Sequence, residues 1–454
     1  MRIGRLRLNG CLVSFLLVAI LVGFVIPRAL QNKMRAELPP WKRAALERLH
    51  KPGDFPASWL EVRPLSPSMI AAMDSFNAAW DAGTSATADV DPVPERDMKE
   101  IETLTELLAK GDAMSSGELE RLEQLVGDDL HLIDALTALA ARPEYDAEIW
   151  DVPIAAFDAG CNWRLLTATR LAVARARILA RDGRTSAGVE LAASLLPLAQ
   201  RHPAGHLHGQ AFAMLLGATI IDGIAAVATR CDNPAMLRAA LNAMDRVDAR
   251  ANAPLPNDLE NHSFFAEIRA LKRQGYSVNF DKNGPLVQAF EEMLESIERY
   301  PEWMLERLDP DDPDYELYRM KASEKKRSRT FGLRKYAGPY YGLFRDYFVL
   351  EMLSDCSRLP PLHKAAAARF HLARLAVAER LAQLDGQPAP AAAADLVPRY
   401  LPTEPLDPFT SAPFVRSPKG GFHSVGPDGV DDAATILFDS SKGTTSTGDI
   451  FLRR

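Results

Sequence analysis

The middle of the chain, residues 34–385, carries a hydrophobic pattern with helical spacing almost throughout. Apolar positions recur every three to four residues, short breaks separate the segments, and no run of alternating, strand-like positions interrupts them. The clearest block covers residues 162–248, and its first segment has one apolar face: Leu165, Leu166, Thr169, Ala172, Val173, Ala176 and Leu179. We therefore predict a mainly α fold whose body consists of packed, solenoid-like helical hairpins.

Helix ends are marked by local signals. Ser115 and Glu118 have the spacing of a capping box, Gly183 ends one predicted helix, and Asn233-Pro234 begins another. A polar, proline-bearing linker is predicted near residues 83–95. The glycines and alanines of the segment 207–229 predict close contact between helices. The other predicted helices in this part of the chain are 35–51, 67–82, 96–110, 116–126, 129–141 and 185–200.

After residue 385 the pattern changes to Pro, Gly, Asp, Ser and Thr with short apolar pieces. Strands are predicted at 414–416, 421–425 and 436–438. Residues 386–454 should therefore form a small C-terminal β/loop module that follows the helical domain of residues 34–385.

The N-terminal 33 residues are predicted to be a basic leader and a membrane anchor. Residues 8–26 contain no charge and are almost entirely apolar, and about 19 helical residues span roughly 28 Å, close to the hydrocarbon thickness of a bilayer. Arg2, Arg5 and Arg7 precede the segment, so the positive-inside rule places the N-terminus in the cytoplasm. A cleaved signal peptide is the alternative, although no small-x-small site follows.

Composition narrows the possible functions. A net charge of −7 over 454 residues, without a basic domain, gives no electrostatic signal for nucleic-acid binding. The four cysteines lie far apart, and none has zinc-site spacing. The sequence contains no HExxH, Walker A or GxGxxG motif. We therefore predict a non-enzymatic protein.

Three further segments have a simpler structural explanation. His202, His206 and His208 could bind a metal but fit a surface loop. The basic residues 321–335 and the aromatic residues that follow fit a charged helix that leads into a core helix. The segment Phe422–Gly426 is similar to a nucleophile elbow but has Phe422 where glycine is required.

The anchor resembles the N-terminal helix of type II secretion pseudopilins. A basic leader is followed by Gly10, about 16 apolar residues and the sequence Val-Ile-Pro-Arg-Ala-Leu. The resemblance implies peptidase cleavage after Gly10, which would expose Cys11. Pseudopilins carry a glutamate five residues after the cut, and this chain has Phe15 there. The large tip subunit of that family also lacks the glutamate.

The tail carries a second resemblance to the same family. Residues 396–414, the segment Ser424-Val-Gly-Pro-Asp-Gly429 and the terminal Gly448-Asp449-Ile450 follow in the order seen in the C-terminal β-region of the major pseudopilin. In that family this loop binds calcium. The resemblance and the preference of Ca²⁺ for oxygen ligands together predict a calcium site formed by Ser424, Asp428, Asp431, Asp432 and Asp449.

These observations predict a single-pass protein of the inner (cytoplasmic) membrane, with its body in the periplasm or outside the cell. The resemblances at both ends suggest a pseudopilin-like component of a secretion or pilus-type apparatus. The alternative is a membrane-anchored helical scaffold that binds protein partners and has no role in secretion. The sequence identifies no small-molecule substrate.

Overall fold

The computed structural model describes residues 65–83, 114–145, 160–199, 207–251, 359–438 except 419, and 446–452, with a few isolated positions elsewhere. The chain divides into two compact units, and every element described below belongs to the second: Arg63–Val152, Asp158–Leu259 and Cys356–Arg454. Within this part of the chain, helix predominates and strands occur only in the tail, which confirms a mainly α fold.

Several predictions fall on other residues. Outside the described residues lie the anchor at 8–26, most of the predicted helices at 35–51 and 96–110, most of the linker at 83–95, the basic and aromatic segment that begins at 321, and His202 and His206. Among the helices that the structure does describe, none combines the length and the apolar character needed to cross a membrane.

Eight α-helices, numbered here in chain order, lie in the described ranges. They are α1 Pro67–Gly83, α2 Ser116–Asp128, α3 Leu130–Ala140, α4 Gly160–Arg181, α5 Thr185–Ser194, α6 Leu207–Ala228, α7 Pro234–Ala251 and α8 Leu359–Leu384. A 3-10 helix, Leu196–Ala199, completes the segment predicted as one helix at 185–200.

The predicted helix ends are confirmed in atomic detail. The Glu118 amide donates to Ser115 Oγ at 3.4 Å, and the Ser115 amide donates to Glu118 Oε2 at 2.8 Å, so α2 begins with a capping box. Asn233 Oδ1 accepts the amides of Ala235 and Met236 at the start of α7. Gly183, with a φ of +80°, ends α4 in the left-handed region.

Small residues set the distance between helices α4, α5 and α6. A Cβ placed on Gly188 of α5 would lie 2.5 Å from the carbonyl oxygen of Ala176 on α4. A Cβ on Gly223 of α6 would lie 2.8 Å from Val173 Cγ1, also on α4. The close helix contact predicted from the glycine content is therefore present in this part of the body.

The hairpin prediction is correct for α4 and α5, which pack extensively against each other, but not for α6 and α7. Those two helices pack on α8, more than a hundred residues later in the chain, rather than on each other. Arg369 on α8 pairs with Asp222 on α6 at 2.8 Å, and Arg374 on α8 pairs with Asp245 on α7 at 2.5 Å. Because α6 also packs on α4 and α5, and α7 on α5, the described helices combine contacts between chain neighbours with contacts to a distant helix.

The tail forms a three-stranded antiparallel sheet in the order β1 (Val415–Arg416), β2 (Phe422–Ser424) and β3 (Ile450–Phe451). The first two strands lie where the sequence predicted them. The third was predicted at residues 436–438, but Leu437 forms only an isolated bridge with Asp449. The segment that begins with Ile450 pairs with β2 instead, and its Ile450 side chain is fully buried.

The sheet packs on helix α8. Arg416 on β1 pairs with Glu379 on α8 at 2.7 Å, and the Glu379 side chain is only 2% exposed. Nearby, the rings of His371 on α8 and Phe414 meet edge to face at a centroid distance of 6.2 Å. The tail is therefore part of the same hydrophobic core as the helical body.

Candidate metal centre

Two glycines bring into contact the two parts of the tail motif, Ser424–Gly429 and Gly448–Ile450. Gly426 has a φ of +69°, and a Cβ on it would lie only 2.1 Å from the carbonyl oxygen of Gly448. A Cβ on Gly448 would in turn lie 2.9 Å from the Ile436 carbonyl oxygen. Segments about twenty residues apart can approach this closely only because both positions lack a side chain.

His423 lies in the middle of the sheet. It pairs with Val415 of β1 and Phe451 of β3, and its side chain is completely buried. Its Nε2 lies 2.8 Å from Asp431 Oδ1 and 3.5 Å from Asp449 Oδ2. Its Nδ1 has no hydrogen-bond partner among the described residues.

Asp449 is the second buried member of the group. Its backbone amide donates to the Ile436 carbonyl, and its carbonyl accepts the Phe438 amide, both at 2.9 Å. The carboxylate oxygen Oδ2 accepts the amides of Asp432 at 3.1 Å and Ala434 at 2.7 Å. The other oxygen, Oδ1, is buried and has no hydrogen-bond partner in the described part of the chain. Burial raises the pKa of the Asp449 carboxyl above its ordinary value.

Asp431 completes the group from the loop that follows the Gly426–Gly429 turn. Its Oδ1 accepts the Ala433 amide at 2.8 Å in addition to facing His423. The hydrogen bond with His423 lowers the pKa of the Asp431 carboxyl, and the bond from the Ala433 amide adds to this effect. Because its side chain is 46% exposed, Asp431 connects the buried pair with solvent.

The structure brings together two of the five predicted metal ligands, Asp431 and Asp449, and adds His423. The Ser424 hydroxyl oxygen accepts the Gly426 amide at 3.1 Å, and Asp428 Oδ1 accepts the Val430 amide at 3.1 Å. These two contacts stabilise local turns. Asp432 uses its amide to bind Asp449 and its carbonyl to accept the Thr435 hydroxyl at 2.6 Å.

The donor set fits a divalent metal ion. One ligand atom from each of His423, Asp431 and Asp449 lies within 4.8 Å of the others. An imidazole nitrogen with two carboxylate oxygens suits zinc and other first-row ions, whereas calcium takes six to eight oxygens and does not favour nitrogen. The unpartnered Asp449 Oδ1 is a buried acceptor that a cation would satisfy. The residues present therefore fit a zinc-class ion better than calcium.

Sequence reasoning missed His423 as a ligand because its neighbours resembled a nucleophile elbow. A pattern of alternating buried and exposed strand positions would not have identified His423 either, since all three residues of β2 are buried. It also missed Asp407, which is 2% exposed and accepts the amides of Phe409 at 2.9 Å and Val425 at 3.1 Å. Asp407 thereby fixes the backbone immediately after β2.

Comparison with known proteins gives no match among family models, curated proteins or solved structures.

Proposed function

We propose that this chain is a non-enzymatic, membrane-anchored extracytoplasmic protein, a pseudopilin-like component of a secretion or pilus-type apparatus. The observation that supports the proposal is the contact between the two parts of the tail motif. Ser424 of the first part pairs with Ile450 of the second, and Gly426 packs against Gly448. These two parts of the tail motif therefore lie in one structural unit.

N-terminal sequencing of the membrane-bound protein tests the proposed processing. A mature N-terminus at Cys11 is expected, because a pseudopilin-type peptidase would cut after Gly10. An intact Met1 would contradict this part of the proposal. A pull-down with the full chain addresses the partner: recovery of secretion components supports the proposal, whereas recovery of unrelated envelope proteins favours the scaffold alternative.

The proposed role of the tail includes a structural divalent ion held by His423, Asp431 and Asp449. The resemblance implies calcium, but the imidazole in the donor set favours a zinc-class ion. Such an ion would join β2, the following loop and the start of β3, and so would stabilise the fold of the tail without performing chemistry. The buried, unpartnered Asp449 Oδ1 supports this role.

Isothermal titration of the chelator-treated full chain with Zn²⁺, Mn²⁺ and Ca²⁺ tests the ion. Zn²⁺ should bind more tightly than Ca²⁺, and His423→Gln or Asp449→Asn should weaken its binding at least about tenfold, because each removes a ligand. Asp428→Asn is the matched control, since Asp428 caps only a local turn. Absence of binding by all three ions would refute the metal centre. Tighter binding of Ca²⁺ than of Zn²⁺ would support the calcium site predicted from the sequence.

A further inference from the structure

Helices α4, α6 and α8 enclose a cavity of about 440 Å³, separate from the metal centre. This volume lies within the range of about 300–1,000 Å³ that is typical of small-molecule sites. Leu215 on the α6 wall is 42% exposed, so the wall reaches the protein surface. Phe438 of the tail contributes to the lining as well.

The charges that line the cavity are unbalanced. Among the described lining residues, three arginines (Arg170, Arg177 and Arg369) face a single carboxylate, Asp222. Arg369 pairs with Asp222 at 2.8 Å, and Arg177 Nη1 donates to the Leu108 carbonyl at 2.7 Å. The lining therefore has an excess of positive charge.

Arg170 differs from Arg177 and Arg369 because its side chain forms no hydrogen bond or ion pair with a described residue. Its Nη1 is buried and has no hydrogen-bond partner in the described part of the chain. Burial lowers the pKa of the Arg170 guanidinium below its ordinary value, yet a guanidinium still keeps its proton in proteins. A buried cationic donor without a partner is costly, and an anionic ligand would remove that cost.

Apart from Thr219, whose hydroxyl donates to the Leu215 carbonyl, the remaining wall is apolar. Its small and aliphatic side chains include Val173, Leu215, Ala218, Leu362 and Ala365. A small inorganic anion would contact Arg170 but leave this surface uncovered. A neutral apolar molecule would cover the surface but leave the guanidinium without an acceptor. Both parts of the lining are satisfied together only by a molecule with an anionic end and an aliphatic body.

We propose that the cavity binds a small anionic amphiphile, a carboxylate or phosphate group on an aliphatic chain, with the anionic group on Arg170 and the chain between α6 and α8. The guanidinium presents paired donors that match the oxygens of either group. A free fatty acid and a lipid phosphate share this chemistry. The lining contains none of the proposed metal ligands, although the amide of its Phe438 bonds the Asp449 carbonyl, and the proposal does not depend on the proposed role in secretion.

Calorimetric titration of the full chain in zwitterionic nanodiscs tests the site, with empty nanodiscs as the blank. Octanoate and octyl phosphate separate the two head groups, octanol lacks the charge, and inorganic phosphate lacks the aliphatic chain. At least one of the two amphiphilic anions should bind, and octanol and inorganic phosphate should each bind at least about tenfold more weakly. Failure of both amphiphilic anions to bind, or equal binding of either control ligand, would overturn the proposal.

Variants locate the binding. Arg170→Gln should weaken binding at least about tenfold, since it removes a charge-assisted hydrogen bond. Arg181→Gln, at the exposed end of the same helix, should leave binding unchanged. Ala218→Phe should also weaken binding, because it fills the cavity without altering charge. Circular dichroism confirms folding of each variant, and full affinity in a folded Arg170→Gln or Ala218→Phe protein would refute the site.

Discussion

Replacing Gly426 by alanine should open the contact between the two parts of the tail motif. Gly429 provides a matched control, because both glycines have a φ of +69° but a Cβ on Gly429 would meet no atom within 4 Å. Both substitutions incur the cost of a left-handed alanine, about 1 kcal/mol. Only Gly426→Ala also produces a clash with the Gly448 backbone.

The size of that additional effect follows from the geometry. The Cβ at position 426 would lie 2.1 Å from the Gly448 oxygen, whereas real Cβ contacts are at least 3.0 Å, so the backbones must separate by about 0.9 Å (3.0 − 2.1). This displacement would break the two backbone hydrogen bonds of Asp449, with Ile436 and Phe438. Each hydrogen bond contributes about 1 kcal/mol. Together with the cost of the left-handed alanine, the expected loss of local stability in Gly426→Ala is about 3 kcal/mol.

Hydrogen exchange with mass spectrometry measures this loss locally, which matters because the chain comprises two units and need not unfold in one step. Amides of β2 and β3 should exchange roughly 150-fold faster in Gly426→Ala and about fivefold faster in Gly429→Ala. Equal acceleration in the two variants would refute the close contact between Gly426 and Gly448.

Two further predictions concern the packing of the tail on α8. Arg416→Met should destabilise the tail by about 3 kcal/mol, because the Glu379 carboxylate stays buried without the Arg416 cation. The double variant Arg416→Met/Glu379→Leu should recover most of this loss, because it removes the buried carboxylate as well. Hydrogen exchange of the β1 and β2 amides measures both effects, and no recovery in the double variant would contradict the explanation. Burial, and then the Arg374 charge, lowers the pKa of His371 to about 4, below its ordinary 6.5. As the pH falls, His371 is protonated in the unfolded chain before it is protonated in the folded chain. The free energy of unfolding should therefore decrease as the pH drops from about 6.5 to about 4, by at most about 3 kcal/mol. The midpoint of urea unfolding should fall less steeply with decreasing pH in His371→Leu than in the unmodified protein. An identical dependence of the midpoint on pH in the two proteins would contradict the prediction.

The helices could be predicted from the sequence because their signals are local. Apolar spacing, the Ser115–Glu118 capping box and the stop at Gly183 depend on residues within one or two turns. The change to a β/loop tail was visible in composition for the same reason, since glycine, proline and aspartate disfavour helix wherever they occur.

Contacts between distant segments were decided only by the tertiary structure. The packing of α8 on both α6 and α7, the pairing of β3 with β2 and the cavity around Arg170 all bring together residues far apart in sequence. The candidate metal centre shows the reason most clearly. Asp431 and Asp449 stood out as carboxylates near turns, but His423 joins them only because the two glycines let the strands close around it. Local spacing predicts which elements form, whereas the packing of buried surfaces determines which side chains meet.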